Sequence, residues 1–211
     1  WRHRTSAPHF GCCRFSNPLK KIEIRHPLGN VVTNFATRAD GSLVYTFTAT
    51  NSAQAFPEVQ NVRVSTSADW PEISRWYWDL CAPHLAKTNA AMVKKVAELQ
   101  GCKVAESQAN REQVMRAIFK FVSQEVRYMG LTMEDASPGY APHDVDVTFD
   151  NRYGVCRDKA GLLVAMLRLA GFKAFPVLIH VGAKLDPEVP QPFFNHAIVA
   201  VDKGNRKYVL M

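Results

Sequence analysis

The sequence predicts an α+β protein in which strands come first and helices follow. Three observations carry this reading. Stretches of strand-like alternation fill residues 20–50, amphipathic helical segments fill 69–124, and the run NRYGVCRDKAGLLVAMLRLA at 151–170 places Leu162, Leu163, Met166, Leu169 and Ala170 at helical spacing until Gly171 closes it.

The strand-like stretches are KKIEIRH (20–26), VVTNFATR (31–38) and SLVYTFTAT (42–50), separated by Pro27 and Gly29-Asn30 and by Asp40-Gly41. An Asp-Gly pair between alternating segments is a hairpin signal. Before them, WRHRTSAPHFGCCRFSNP (1–18) has no periodicity and reads as an irregular lead-in. Three strands with so few large apolar residues make a poor core of their own. Residues 1–58 are therefore expected to be the C-terminal part of a β-sandwich domain, and 59–211 a second domain.

VQNVRVST (59–66) leads into Asp69-Trp70-Pro71-Glu72, where a capping acid, a first-turn proline and a glutamate three residues after the cap announce a helix. Trp70, Ile73, Trp76, Tyr77 and Leu80 form an aromatic stripe on it, expected to be core rather than a ligand surface. His84, after Pro83, reads as a surface or cap residue. Thr88 is expected to cap a second helix that ends at Gly101. A third, from about Ser107 to Gln124, puts Val114, Ala117, Ile118, Phe121 and Val122 on one face. These helices are expected to pack around the apolar helix that follows Cys156.

Composition is that of a globular protein, 47% apolar and 21% charged over 211 residues. No stretch approaches the apolar length of a membrane-spanning helix. The chain opens at Trp1 without methionine, so it reads as a fragment or mature chain whose lack of a signal peptide says nothing about export. The net charge of +7 is uneven: residues 1–50 hold seven of the 26 basic residues and two of the 19 acids. No clustered basic helix accompanies that surplus, and nucleic acid is not expected as a partner. The five cysteines, Cys12, Cys13, Cys81, Cys102 and Cys156, form at most two pairs, which is compatible with a free Cys156. No close pair of cysteines or histidines has zinc-site spacing. Neither a metal nor a cofactor is expected.

Cys156 stands at the N-terminal end of the apolar helix, with Gly154 giving the backbone freedom for the turn before it. Unpaired N–H groups and the positive end of the helix dipole favour an anion there, which populates the nucleophilic thiolate. The alternative is a small apolar residue in a core. A nucleophilic cysteine needs a base, and His196 lies on FFNHAIVAVD, which reads as a strand after a proline-containing loop.

Taken together, VRYMG (126–130), GYAP (139–142), NRYGVCRDKAGLLVAMLRLAGFKAFPVLI (151–179) and NHAIVAVD (195–202) resemble the transglutaminase-like cysteine proteins, most closely bacterial ones that carry this papain-like core after a β-sandwich domain. The resemblance covers residues 60–211. It implies helices packed on an antiparallel sheet, Cys156 as nucleophile, His196 as general base, and an oxyanion donor upstream of the cysteine. Tyr128 is the candidate for that donor, against the reading of an ordinary core tyrosine; Asn151 is a second. The family's third member is an aspartate at the end of the next strand. Here that strand is RKYVLM, so the aspartate is expected to follow Met211, and the domain reads as truncated at its C-terminal end. Asp202 reads instead as a turn residue. Relatives often carry an acid before the cysteine, where this chain has Val155.

Other polar residues take the plainer reading: His180 as structure on a strand, His143 as a helix-entry residue, Asp158 and Lys159 as helix-terminus charges. The loop GAKLDPEVPQP (182–192) is expected to border the groove. The resemblance implies acyl transfer at amide bonds of a protein or peptide substrate by a peptidase, deamidase or transglutaminase-type enzyme, outside the cytoplasm of a bacterium. The alternative is a catalytically silent module that binds a peptide or polymer. Arylamine acetyltransferases share the Cys-His-Asp set, but this sequence lacks their double-glycine approach to the cysteine.

Overall fold

The structure, a computed structural model, describes residues 9–15, 18–25, 31–49, 61–101, 108–129, 139–182, 184–205 and 207–211. The expected α+β class is what it shows. The chain divides into two compact units, residues 1–73 with 185–192, and 74–184 with 193–211. The residues around the expected 58/59 boundary lie outside the described ones.

In the first unit, β4 (Leu43–Ala49) is the centre of a three-stranded antiparallel sheet between β1 (His9–Phe15) and β3 (Val31–Thr37). The hairpin between β3 and β4 turns at Asp40-Gly41 as expected. Gly41 takes φ 77, a left-handed value that glycine adopts freely, and the Asp40 carboxylate accepts the Ser42 N–H at 3.0 Å. Tyr45 and Phe47 alternate inward, and Phe35 stacks on its cross-strand partner Tyr45 at 5.6 Å. The strand β1 corrects the expectation of an irregular lead-in. Its sequence HFGCCRF lacks alternation, and the strand is paired residue for residue in a seven-residue ladder with β4.

A second antiparallel pair joins β2 (Lys21–Arg25) to β5 (Asn61–Ser65). The segment 185–192 fastens to β5 through side chains. Arg63 pairs with the buried Asp186 carboxylate at 2.6 Å, Ser65 Oγ donates to the Pro190 carbonyl, and Gln191 Nε2 donates to the Val64 carbonyl at 3.0 Å. Trp70 Nε1 adds a bond to the Asp186 carbonyl at 2.9 Å.

Helix α1 (Trp70–Leu85) starts as its sequence dictates. Asp69 accepts the Glu72 N–H at 2.7 Å, and Glu72 reaches back to the Ala68 N–H at 2.6 Å. The expected stripe is only partly core: Ile73 and Tyr77 are buried, whereas Trp76 is 43% exposed. Pro83 lies inside the last turn, and His84 uses Nδ1 to meet the Asp144 carboxylate at 2.7 Å. Helix α2 (Ala90–Gln100) is capped by Asn89 rather than Thr88, the Asn89 side chain accepting the Met92 N–H at 2.8 Å. Helix α3 (Gln108–Glu125) buries Val114, Met115, Ile118, Phe121 and Val122. It leads to β6 (Arg127–Tyr128), which pairs in parallel with β7 (Tyr153–Gly154). Between them, helix α4 (Val145–Asn151) ends at Arg152, whose left-handed φ of 58 turns the chain into β7.

Helix α5 (Cys156–Leu169) is the axis of the second unit, with residues 160–167 all buried among α2, α3 and α4 on one side and the sheet on the other. Burying an apolar helix on all sides contributes about 1.5–3 kcal/mol per large side chain, so this one element anchors the unit. The sheet is antiparallel in the order β10 (Tyr208–Leu210), β9 (His196–Asp202), β8 (Ala174–Ile179).

Candidate active site

Cys156 is the first residue of α5, and Val155 before it is extended at φ −86, ψ −174. A valine side chain has no acceptor, so no side chain caps the helix from that position. Lys159 N–H to the Val155 carbonyl, at 3.0 Å, closes the first turn, which leaves the amides of residues 156–158 ahead of the helical ladder. These are the donors a developing anion at the cysteine can use.

The turn is held instead from below. Asp158, 3% exposed, points back and accepts the Val155 N–H at 3.0 Å with one oxygen. The other oxygen accepts the His143 N–H at 2.9 Å and faces His143 Nδ1 at 3.0 Å. Asp158 is therefore a helix-terminus charge that is also a buried hub beneath the cysteine. Gly154 is needed for this hub and not for a left-handed backbone: a Cβ there would lie 2.6 Å from the Asp158 Cβ. His143 is drawn to the underside of the turn and does not line the cleft beside the cysteine.

Lys159 leaves the same turn on another side. Its Nζ donates to the Val126 carbonyl at 2.6 Å and to the Ser123 carbonyl at 3.4 Å, which ties α5 to the end of α3 and to the start of β6. Lost hydration lowers its pKa. Tyr128 stands on that strand, 62% exposed, so it is not the core tyrosine that the plainer reading supposed. Its phenol pKa is raised, first by lost hydration and then by the charge of the Cys156 sulfur and a hydrogen bond with it.

Cys156, Tyr128 and His196 line one cleft of about 200 Å³, with Phe119, Leu163 and Ile198 among its apolar walls. The cysteine is a half-buried free thiol. Cys81 is the contrasting case, fully buried on α1, its thiol pushed up to about 11 by burial, with the Tyr77 hydroxyl hydrogen-bonded to it and pulling the other way. Burial before all else raises the Tyr77 phenol pKa as well.

The remaining sequence candidates fall elsewhere. Asn151, at the end of α4, lines a neighbouring polar cavity that shares Tyr128 and Lys159 with the cleft. His180 follows the last residue of β8 and is absent from the cleft lining. Asp202 ends β9, six residues from His196 and so ~20 Å along a strand, where it accepts the Gly204 N–H at 2.7 Å as a turn residue does. In the 182–192 loop, Asp186, Pro190 and Gln191 engage β5. Among the described residues no carboxylate hydrogen-bonds His196. The ladder of β10 reaches Met211, which exchanges two hydrogen bonds with Val199 at 2.8 and 2.9 Å. The side chains of Cys12, Cys13 and Cys102 lie outside the described residues.

Two residues next to the histidine escaped the sequence reading. Asn195 side-chain atoms accept the Val181 N–H at 2.7 Å and donate to the Val181 carbonyl at 3.0 Å. The Tyr140 hydroxyl accepts the Phe194 N–H at 3.3 Å and donates to the Phe194 carbonyl at 3.2 Å. Both residues lie in the blocks GYAP and NHAIVAVD, so their place beside the candidate histidine was a signal that could have been used.

The sequence pattern of the Transglutaminase-like superfamily matches residues 101–205. No curated protein matches the chain. Among solved structures, a candidate protease from Parabacteroides distasonis superposes with a TM-score of 0.60 at 15% identity. The match covers 93% of this chain and 38% of that one, so this chain spans well under half the length of that protein. The periplasmic domain of TgpA from Pseudomonas aeruginosa gives 0.42 at 17% identity, covering 100% of this chain and 70% of that one. A candidate cysteine protease from Cytophaga hutchinsonii gives 0.41 at 16%, covering 100% and 66%. At 15% identity the likeness to the Parabacteroides protein is one of fold. No helix among the described residues is long and apolar enough to cross a membrane.

Proposed function

This chain is a member of the transglutaminase-like superfamily through residues 101–205, and we propose on that premise that it is a cysteine-dependent acyl-transfer enzyme acting on amide bonds of a protein or peptide. The observation that carries the reading is the meeting of Cys156, at a helix start without a side-chain cap, with Tyr128 and His196 along one cleft.

In the first half-reaction the Cys156 thiolate attacks the amide carbonyl carbon. A C–S bond forms, and the carbonyl electron pair moves onto oxygen, where the Cys156 N–H and the Tyr128 hydroxyl donate to the oxyanion. Collapse breaks the C–N bond, and protonated His196 gives its proton to the departing amine. In the second half-reaction neutral His196 removes a proton from the acceptor, which attacks the thioester and returns the thiolate. Water as acceptor gives hydrolysis, and a lysine amine gives a cross-link. Hydrolysis makes the smaller structural demand, because it needs no device to exclude water. A location outside the cytoplasm, and the assignment of residues 1–58 as the closing strands of a β-sandwich before a 59–211 core, belong to the same proposal and follow from the family resemblance.

The test is to trap the acyl-enzyme. Incubation with peptide amides bearing a chromogenic leaving group is expected to release that group and to leave an acyl adduct on the Cys156 peptide, read by mass spectrometry, with both lost in Cys156→Ala. Release that survives in Cys156→Ala contradicts the reading. Binding of peptides with no adduct and no release favours the silent binding module.

A further inference from the structure

The chain leaves the second unit at Lys184, runs with the first unit from Leu185 to Pro192, and returns at Phe193, three residues before His196. The excursion is fastened to β5 through Asp186, Pro190 and Gln191. A strand end so close to a crossing would inherit any displacement of the crossing segment. A misplacement of ~1 Å at a reacting group costs up to about a hundredfold in rate.

The neck of the excursion is closed within the second unit. Asn195, just before the returning strand, holds Val181, two residues past the outgoing one, by both its N–H and its carbonyl, at 2.7 and 3.0 Å, and the Asn195 N–H donates to the Ile179 carbonyl at 3.1 Å. One residue earlier, the Tyr140 hydroxyl takes both main-chain groups of Phe194. The Tyr140 ring is itself set edge-on against Trp76 and Phe194, with centroids at 5.9 and 6.1 Å. The Phe194 main chain is thus held by the Tyr140 side chain and the Asn195 N–H by the Ile179 carbonyl, while the Asn195 side chain ties Val181 back to the same point, all within the second unit.

We propose that Asn195 and Tyr140 are positioning residues that clamp the neck of the 185–192 excursion and so set the His196 imidazole relative to Cys156, independently of movement in the excursion. The inference rests on the reading of His196 as the base. The clamp acts through main chain, so its loss is expected to move the imidazole without unfolding the strand: His196 pairs with Ile179 at the end of a six-pair ladder that neither side chain supports.

The test compares Asn195→Ala and Tyr140→Phe with the unsubstituted chain by two readouts. The first is the His196 imidazole Cε1–H signal in a two-dimensional NMR spectrum, assigned with His196→Ala, with His84 as an internal reference on another element. The second is the rate of Cys156 alkylation by iodoacetamide against pH. The expected result is a displaced or broadened His196 signal in each variant with the His84 signal unmoved, a thermal midpoint near that of the unsubstituted chain, and alkylation at neutral pH slowed roughly tenfold. An unmoved His196 signal in both variants overturns the clamp. If His196→Ala leaves the alkylation profile unchanged, the catalytic reading fails by itself, and the NMR signal still decides whether Asn195 and Tyr140 place the histidine.

Discussion

Asp158 accepts the Val155 N–H at 3.0 Å from within the first turn of α5, so the helix that presents Cys156 is capped from inside rather than from the residue before it. The same carboxylate holds His143 by its N–H and its ring. One buried group therefore fixes the nucleophile turn and the chain that enters α4.

Replacing that group tests its structural weight. Asp158→Ala leaves two backbone N–H groups without their acceptor in a buried place, and is expected to lower the unfolding free energy by ~2–4 kcal/mol. Urea denaturation gives the number. A loss below about 0.5 kcal/mol, the scale of an ordinary surface substitution, contradicts the hub.

Gly154→Ala tests the close approach directly. A methyl group 2.6 Å from the Asp158 Cβ forces the turn to shift, at ~1–3 kcal/mol. Reduced alkylation of Cys156 is expected in the same variant, because the turn that must shift carries the thiol.

Tyr128→Phe separates chemistry from folding. The residue is 62% exposed, so stability is expected to change little. If its hydroxyl donates to the oxyanion, kcat on a peptide amide falls by about 10²–10³ with KM nearly constant. The raised phenol pKa keeps that proton in place at working pH.

Alkaline stability follows from Cys81. Its folded pKa of about 11 stands above the ordinary 9.0, so the folded state holds a proton that the unfolded state releases first. This contribution is complete below pH 9 and is lost as pH rises toward 11, on the order of 2 kcal/mol. Tyr77, raised in the same direction, extends the loss above pH 10. Chemical denaturation at pH 8 and pH 11 checks the sign, and a flat profile contradicts it.

Legibility in the sequence followed the range of the interaction. The Asp40-Gly41 hairpin, the Asp69 and Glu72 cap of α1, and the cysteine at the head of an apolar helix are local chemistry, and each stands where its residues place it. The strand β1 was not legible, because HFGCCRF is ordered by its ladder with β4 rather than by its own pattern. Helix α4 is only seven residues, VDVTFDN, rich in types that favour strands, and it exists through the burial of Val145 and Phe149. From sequence Gly154 suggests backbone freedom, whereas in the structure it allows a close approach to a side chain four residues later. Asn195 and Tyr140 lie in blocks that the sequence singles out, but their contacts are not legible there, because their partners, Val181 and Phe194, lie 14 and 54 residues away.

The central claim is that Cys156 and His196 act as a thiolate–imidazole pair, and the pH dependence of Cys156 alkylation, with and without His196→Ala, tests it most directly. The account predicts fast alkylation at neutral pH that slows when His196 is removed. Slow alkylation at neutral pH, unaffected by His196→Ala, would contradict it and leave the cleft as a binding groove.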